Sequence, residues 1–210
     1  RHAFYASGLK PGDRAAMLLT NSIEAVIFDQ AALAAGLIPV PLHAVDTPGS
    51  SAYILHDSGA RILVTSSRAR WNALHAAAGE TLPMLEQVVL LNELDDEVID
   101  GVRISGVETW LARGNGTPSE ALPPEPSPDD LAGLIYTSGT TGFPKAILLK
   151  HRALLQSARM EAIHHDTTHD DVFLCIPPLY HTGAKMHWFG SLFTGSKAVL
   201  LKGNSPKAIL

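Results

Sequence analysis

The feature that most constrains this fold is a regular alternation between short apolar runs and helix-length segments across Arg14 to Leu91. Arg14–Thr20, Leu37–Leu42, Arg61–Thr65 and Gln87–Leu91 are brief runs rich in aliphatic residues, and each reads as a strand. Between them, Asn21 and Ser22 can cap a helix that runs to Ala35 and stops at Gly36. Gly49–Asp57 reads as a second helix, closed by Ser58-Gly59, and Ser66–Ala78 as a third. Strands separated by helical crossovers pair in parallel, with the crossovers on the faces of the sheet. The expectation is therefore an α/β fold with parallel-rich sheets and helices on both faces. Pro39 and Pro41 place the second strand at an edge or a strand end.

Further along, Ile99–Thr109 fits neither pattern, and the acidic run Glu93–Asp100 reads as an exposed loop or helix face. Pro118–Asp130, rich in proline and acid, reads as a surface linker. Strands are then expected at Leu131–Tyr136, Ala146–Lys150, Asp171–Ile176 and Lys197–Leu201, with helices at His151–Ile163 and Gly183–Phe193. The expected domain plan is an α/β subdomain over 1–117, a linker over 118–130 and the start of a second α/β subdomain over 131–210. Arg1 is not methionine, and Ser205-Pro206 reads as a helix start just before Leu210. A portion of a longer protein is expected.

The chemistry concentrates in Tyr136-Thr-Ser-Gly-Thr-Thr-Gly-Phe-Pro-Lys145-Ala146, a loop that directly follows an apolar strand. Glycines let backbone N–H groups face an anion with no Cβ in the way. Thr137, Ser138, Thr140 and Thr141 supply hydroxyls, and Lys145 a point charge suited to polyphosphate. The common G-x-x-x-x-G-K-[ST] loop is excluded, because Gly139 and Gly142 are too close together and Ala146 follows Lys145. A dinucleotide fingerprint is excluded too, since Gly114-Asn-Gly116 has no strand before it and Ser119 at the third position. Gly139-Thr-Thr-Gly142 satisfies the G-x-x-G clamp of an RNA-binding module, although that pattern leaves two of its four positions free.

The full string resembles the phosphate loop of adenylate-forming enzymes: acyl-CoA and aryl-CoA synthetases, luciferases and peptide-synthetase adenylation domains. Pro177-Pro-Leu-Tyr-His-Thr-Gly183 is similar to a second segment of acyl-CoA synthetases. Gly8–Arg14 and Ala31–Pro41 look like the opening of that family's large domain. The resemblance implies the N-terminal part of that large domain, within an ATP-dependent carboxylic acid–CoA ligase. It implies that Thr137, Ser138, Gly139, Thr140, Thr141, Gly142 and Lys145 hold the β- and γ-phosphates and then the departing pyrophosphate. It places His181 beside the carboxylate and α-phosphate, with Tyr180, Thr182 and Gly183 shaping the pocket floor. Amino-acid-activating relatives carry Phe-Asp where this chain has Tyr180-His181, so an amino-acid substrate is disfavoured. Ala184 stands where many relatives carry glycine. ATP, Mg²⁺ and coenzyme A are the implied cofactors and cosubstrates. The family's small C-terminal domain and its essential lysine are absent from this stretch, as are its adenine and ribose contacts. The isolated chain is accordingly expected to be inactive.

Sixteen Lys+Arg against 21 Asp+Glu give a net charge of −5, which argues against a nucleic-acid partner. The longest apolar stretch, Ala31–Leu42, is broken by Gly36, Pro39 and Pro41, so no transmembrane segment is expected. Cys175 is the lone cysteine, and no signal peptide is visible, which points to a cytoplasmic setting. His164-His-Asp-Thr-Thr-His169 invites a metal reading, but Thr167-Thr168 disfavours the helix that i,i+4 ligands need, and no metal is expected there. Met186, Trp188 and Phe189 read first as core and second as an acyl-pocket wall. A homodimer stays open, and a non-catalytic module that binds nucleotide or acyl-adenylate is the alternative function.

Overall fold

A computed structural model describes residues 1–79, 82–94, 96–137 and 144–201. Its first layer runs α1 (His2–Ala6), β1 (Arg14–Leu18), α2 (Ile23–Ala34), β2 (Ile38–Pro41), α3 (Pro48–Ser58), β3 (Ile62–Thr65), α4 (Arg68–Ala78), β4 (Gln87–Leu90), β5 (Asp96–Ile99), β6 (Val102–Gly106) and α5 (Val107–Arg113). The strands form one sheet in the order β2-β1-β3-β4-β6-β5. All neighbours in it are parallel except β5, which runs antiparallel to β6.

Chain direction fixes which face each helix covers. From β1 the chain steps one way to β2, then returns across β1 to β3 and continues to β4. Right-handed crossovers put helices made on opposite travel directions on opposite faces. Side-chain alternation shows the same division. Ala15, Met17, Ile62, Val64 and Val89 pack with Phe4, Phe28 and Trp110 of α1, α2 and α5. Ala16, Leu18, Leu63, Val88 and Leu90 pack with Ile54, Leu55, Trp71 and Leu74 of α3 and α4. Helices therefore cover both faces of a parallel-rich sheet, as the alternation implied.

Side-chain caps start these helices, at Ser22 as the sequence implied and at Thr47 and Ser67 besides. Ser22 Oγ accepts from Ala25 N at 3.2 Å, Thr47 Oγ1 from Ser50 N at 3.3 Å and Ser67 Oγ from Arg70 N at 3.4 Å. Gly59 ends α3 at φ +60°, and a Cβ there would stand 2.8 Å from Arg14 Nη2. Arg14 uses that space to donate to the Ser58 and Gly59 carbonyls at 2.7 and 2.8 Å.

Two sequence readings change. The acidic run is neither loop nor helix face throughout, because Asp96–Ile99 is the edge strand β5. Asp100 and Gly101, both at positive φ, turn it directly into β6, with Ile99 opposite Val102. Pairing with β6 and ion pairs from Asp96 to Arg113 at 2.6 Å and from Glu97 to Arg68 at 2.5 Å hold the acidic strand on the sheet. The ambiguous stretch is consequently β6 followed by α5. Helix α1, too short to leave a periodic pattern, was not anticipated.

The second layer contains β7 (Leu131–Thr137), β8 (Lys145–Lys150), α6 (His151–His164), β9 (Val172–Cys175), α7 (Thr182–Thr194) and β10 (Lys197–Leu200). β7 and β8 are antiparallel, and β9 and β10 form a parallel pair joined through α7. Leu134 and Tyr136 of β7 join the core on the α3–α4 side of the first sheet. Between the layers, Pro118–Asp130 holds one short 3₁₀ turn at Ser119–Ala121. Among the described residues, no helix is long and apolar enough to cross a membrane.

Candidate functional site

The β7–β8 ladder closes with Thr137 opposite Lys145, both exposed, so the described ends of the hydroxyl-rich string stand side by side. Ser138, Gly139, Thr140, Thr141 and Gly142 lie outside the described residues. Tyr136, one residue before Thr137, is 2% exposed, and its hydroxyl donates to Asp57 Oδ2 of α3 at 2.6 Å. Burial first, and then the Asp57 carboxylate, push the Tyr136 hydroxyl well above the usual phenol range, so it remains a donor. The strand end that presents the string is thereby tied to the first layer.

The Pro177–His181 turn leads from β9 into α7. His181 N donates to Pro178 O at 3.0 Å, and Lys185 N donates to His181 O at 3.1 Å. His181 is the N-cap of α7 without a side-chain cap bond, so the first N–H groups of the helix keep their positive end available. Its ring lies 4.7 Å from the Tyr180 ring and 5.5 Å from that of His43, which follows β2. His43 stacks on Tyr180 at 4.5 Å and 26°. Partial burial, then the nearby His43, lower the pKa of His181 and favour the neutral imidazole. Burial and the Asp46 carboxylate push the Tyr180 hydroxyl up. Thr182 is half-buried, and a Cβ on Gly183 would meet open space. Ala184 is buried beneath them.

Behind this turn, Lys185 Nζ pairs with Asp29 Oδ1 of α2 at 2.5 Å, the two side chains being 3% and 8% exposed. A cavity of about 30 Å³ is lined by Ile135 of β7 and by Tyr180, Thr182, Lys185 and Trp188, so the string-bearing strand and the start of α7 border one space. Trp188 is buried and Phe189 half-buried, so the first reading of these rings as core holds for Trp188. A larger cavity, about 730 Å³, opens between α1, α2 and α5, and none of the site residues read from the sequence lines it.

His165 pairs with Glu161 at 3.2 Å, and His169 stands 81% exposed beside Asp170. Among the described residues no cluster of His, Cys, Asp or Glu is arranged to hold a metal ion. Sequence reasoning missed Asn21, Asp29, His43, Asp57 and Lys185 as neighbours of the site. Two carried a readable signal: Asp29 and Lys185 each interrupt an apolar helix stretch, and a buried charge there needs a partner. His43 and Asp57 meet the site only through tertiary contact.

The family model for AMP-binding enzymes matches residues 2–210. The chain is 30% identical to the acyl-CoA ligase SidI of Aspergillus fumigatus over 95% of this chain and 34% of that protein. It is 31% identical to a 4-coumarate–CoA ligase of Pinus taeda over 83% of this chain and 31% of that one. The crystal structure of ATP-bound MatB from Rhodopseudomonas palustris superposes with a TM-score of 0.76 at 26% identity, covering 99% of this chain and 39% of that one. The chain thus spans about a third of the length of the curated relatives it matches.

Proposed function

The chain belongs to the family of AMP-binding enzymes, and from that premise we propose that it is the N-terminal part of an ATP-dependent carboxylic acid–CoA ligase. The observation that carries the reading is one shared cavity. Ile135, on the strand presenting Thr137, and Tyr180 and Thr182, which flank His181, line it together. A phosphate-holding string and an acyl-facing histidine are the two halves that acyl-adenylate formation requires.

In the first step a carboxylate oxygen bonds to the α-phosphorus of ATP, and the bond to the β-phosphate breaks. Pyrophosphate leaves in line, and negative charge gathers on both sides of the reacting phosphorus. The hydroxyls of Thr137, Ser138, Thr140 and Thr141 and the amides at Gly139 and Gly142 hold the β- and γ-phosphates, with Lys145 adding charge. His181, neutral at pH 7, donates an N–H towards the forming charge, and the free amides of α7 add their partial positive charge. Tyr180, Thr182 and Gly183 floor the acyl site. In the second step the thiol of coenzyme A attacks the acyl carbonyl and AMP leaves. Mg²⁺ is assigned to ATP as its counter-ion. The names of the relatives span acyl and 4-coumarate substrates, so fatty, aryl and short-chain acids are all admitted.

Mass spectrometry of full-length protein incubated with ATP and a panel of acids tests the reading. Acyl-adenylate from one acid class is expected with the whole protein and none with the isolated 210 residues. An adenylate made by the isolated chain would contradict the assignment of essential groups to the rest of the protein.

A further inference from the structure

Asn21 sits where β1 hands over to α2, with 8% of its surface exposed. Its side chain uses both ends on one stretch of backbone just before His181. Nδ2 donates to Pro177 O at 3.0 Å, and Oδ1 accepts from Leu179 N at 2.8 Å. A side-chain amide carries its donor and its acceptor on separate atoms, so it can serve one acceptor and one donor at once. Only Tyr180 separates Leu179 from His181, whose own backbone is closed onto Pro178 and Lys185. Within α2, which begins two residues after Asn21, Asp29 takes the Lys185 ammonium in a pair shielded from water. The residue leading into α2 therefore holds the turn before His181, and α2 itself holds α7 just after it, both with directional polar contacts. Cohesion alone is supplied elsewhere between the layers by apolar side chains such as Leu33, Ala132 and Leu154.

We propose that the β1–α2 junction and α2 align the His181 turn: Asn21 is the positioning residue that fixes where the imidazole stands, and the Lys185–Asp29 pair fixes α7 behind it. The placement stands on these contacts, whereas its kinetic consequence rests on the ligase reading above. A misplacement of about 1 Å can cost roughly 10²-fold in rate.

The test uses the full-length protein, wild type, Asn21→Leu, Asn21→Asp, His181→Ala and the Asn21→Leu/His181→Ala double variant. Acid-dependent ATP–pyrophosphate exchange, corrected for folded protein, is measured beside the ¹H–¹³C resonance of the His181 ring. The expected result for Asn21→Leu is a kcat lowered about 10- to 100-fold, with the KM for acid little changed and the ring resonance shifted. Asn21→Asp keeps the acceptor for Leu179 N but sets a carboxylate oxygen against Pro177 O, so it is expected to lose rate as well; circular dichroism of each variant guards against one that does not fold. In the His181→Ala background Asn21→Leu is expected to cost nothing more. Losses that multiply in the double variant, or full kcat in a folded Asn21→Leu protein, overturn the proposal while leaving the ligase reading intact. Absence of exchange with every acid overturns the ligase reading instead. The His181 resonance then decides the placement by itself: a shift in Asn21→Leu supports it and an unchanged resonance overturns it.

Discussion

The two layers of this chain solve the problem of burial differently. In the first, β2, β3 and β4 are buried along their whole length, because helices cover both faces of the sheet. In the second, β8, β9 and β10 are largely exposed within this chain, which leaves Ile147, Leu148, Val172 and Val199 uncovered by its own residues. The first layer is held by apolar packing that closes on itself. The candidate site belongs to the second, and it is held in place by polar contacts reaching back into the first: Tyr136 to Asp57, Pro177 and Leu179 to Asn21, Lys185 to Asp29. Rigidity and chemistry are thus divided between the layers, and a few directional contacts carry one to the other.

The largest effect should come from the closed layer. Trp71 is 1% exposed between α4 and the sheet, so Trp71→Ala should cost about 3–5 kcal/mol through lost burial and the cavity left behind. Urea unfolding of the full-length protein measures it. In this chain taken by itself, Leu148→Ala on the open strand should stay within about 0.5 kcal/mol by the same measurement. Equal costs at the two positions would erase the contrast between the layers.

Next in size is the buried ion pair. Lys185→Met leaves the Asp29 carboxylate buried without its cation and should cost about 3 kcal/mol. The Asp29→Leu/Lys185→Leu double variant, which removes both charges, should regain most of that in thermal unfolding. A single variant as stable as the wild type would mean that the pair joins nothing. Tyr136→Phe is milder. It removes the donor that Asp57 receives and should cost about 1–2 kcal/mol. ATP affinity of the full-length protein should weaken with it, because Thr137 begins the string immediately afterwards; calorimetry reads both.

The smallest effect is electrostatic. The folded state lowers the pKa of His181, so it favours the neutral ring. The resulting stabilisation is present above the unfolded pKa, about 6.5, and is lost as pH falls through the lower folded value. Adenylation should likewise hold on the acid side until that lower pH. His43→Ala removes the second cause of the shift and should raise the His181 pKa while leaving most of the depression, which comes from burial. Imidazole titration by NMR checks the sign.

How much of this was legible in the sequence follows the same division. Strands and helices of the first layer are local in origin: apolar runs, Ser and Thr caps and Gly stops lie where the chain uses them. The edge strand β5 was missed because its acidic residues masked an Asp100-Gly101 turn that the φ values make plain. In the second layer the string from Thr137 to Lys145 and the turn at His181 could be read as motifs. What sets them in place could not, since Asn21, Asp29 and Asp57 act across long stretches of chain. Their partners are fixed by layer packing and by no local pattern.

The measurement that bears most directly on the central claim is acid-dependent ATP–pyrophosphate exchange by the full-length protein, beside its Thr141→Ala and His181→Ala variants. The account predicts exchange with one class of carboxylic acid, weakened in both variants by roughly 10²-fold for the loss of a transition-state donor. Measurable ATP binding without exchange for any acid would contradict it, and would leave a module that binds nucleotide without turnover.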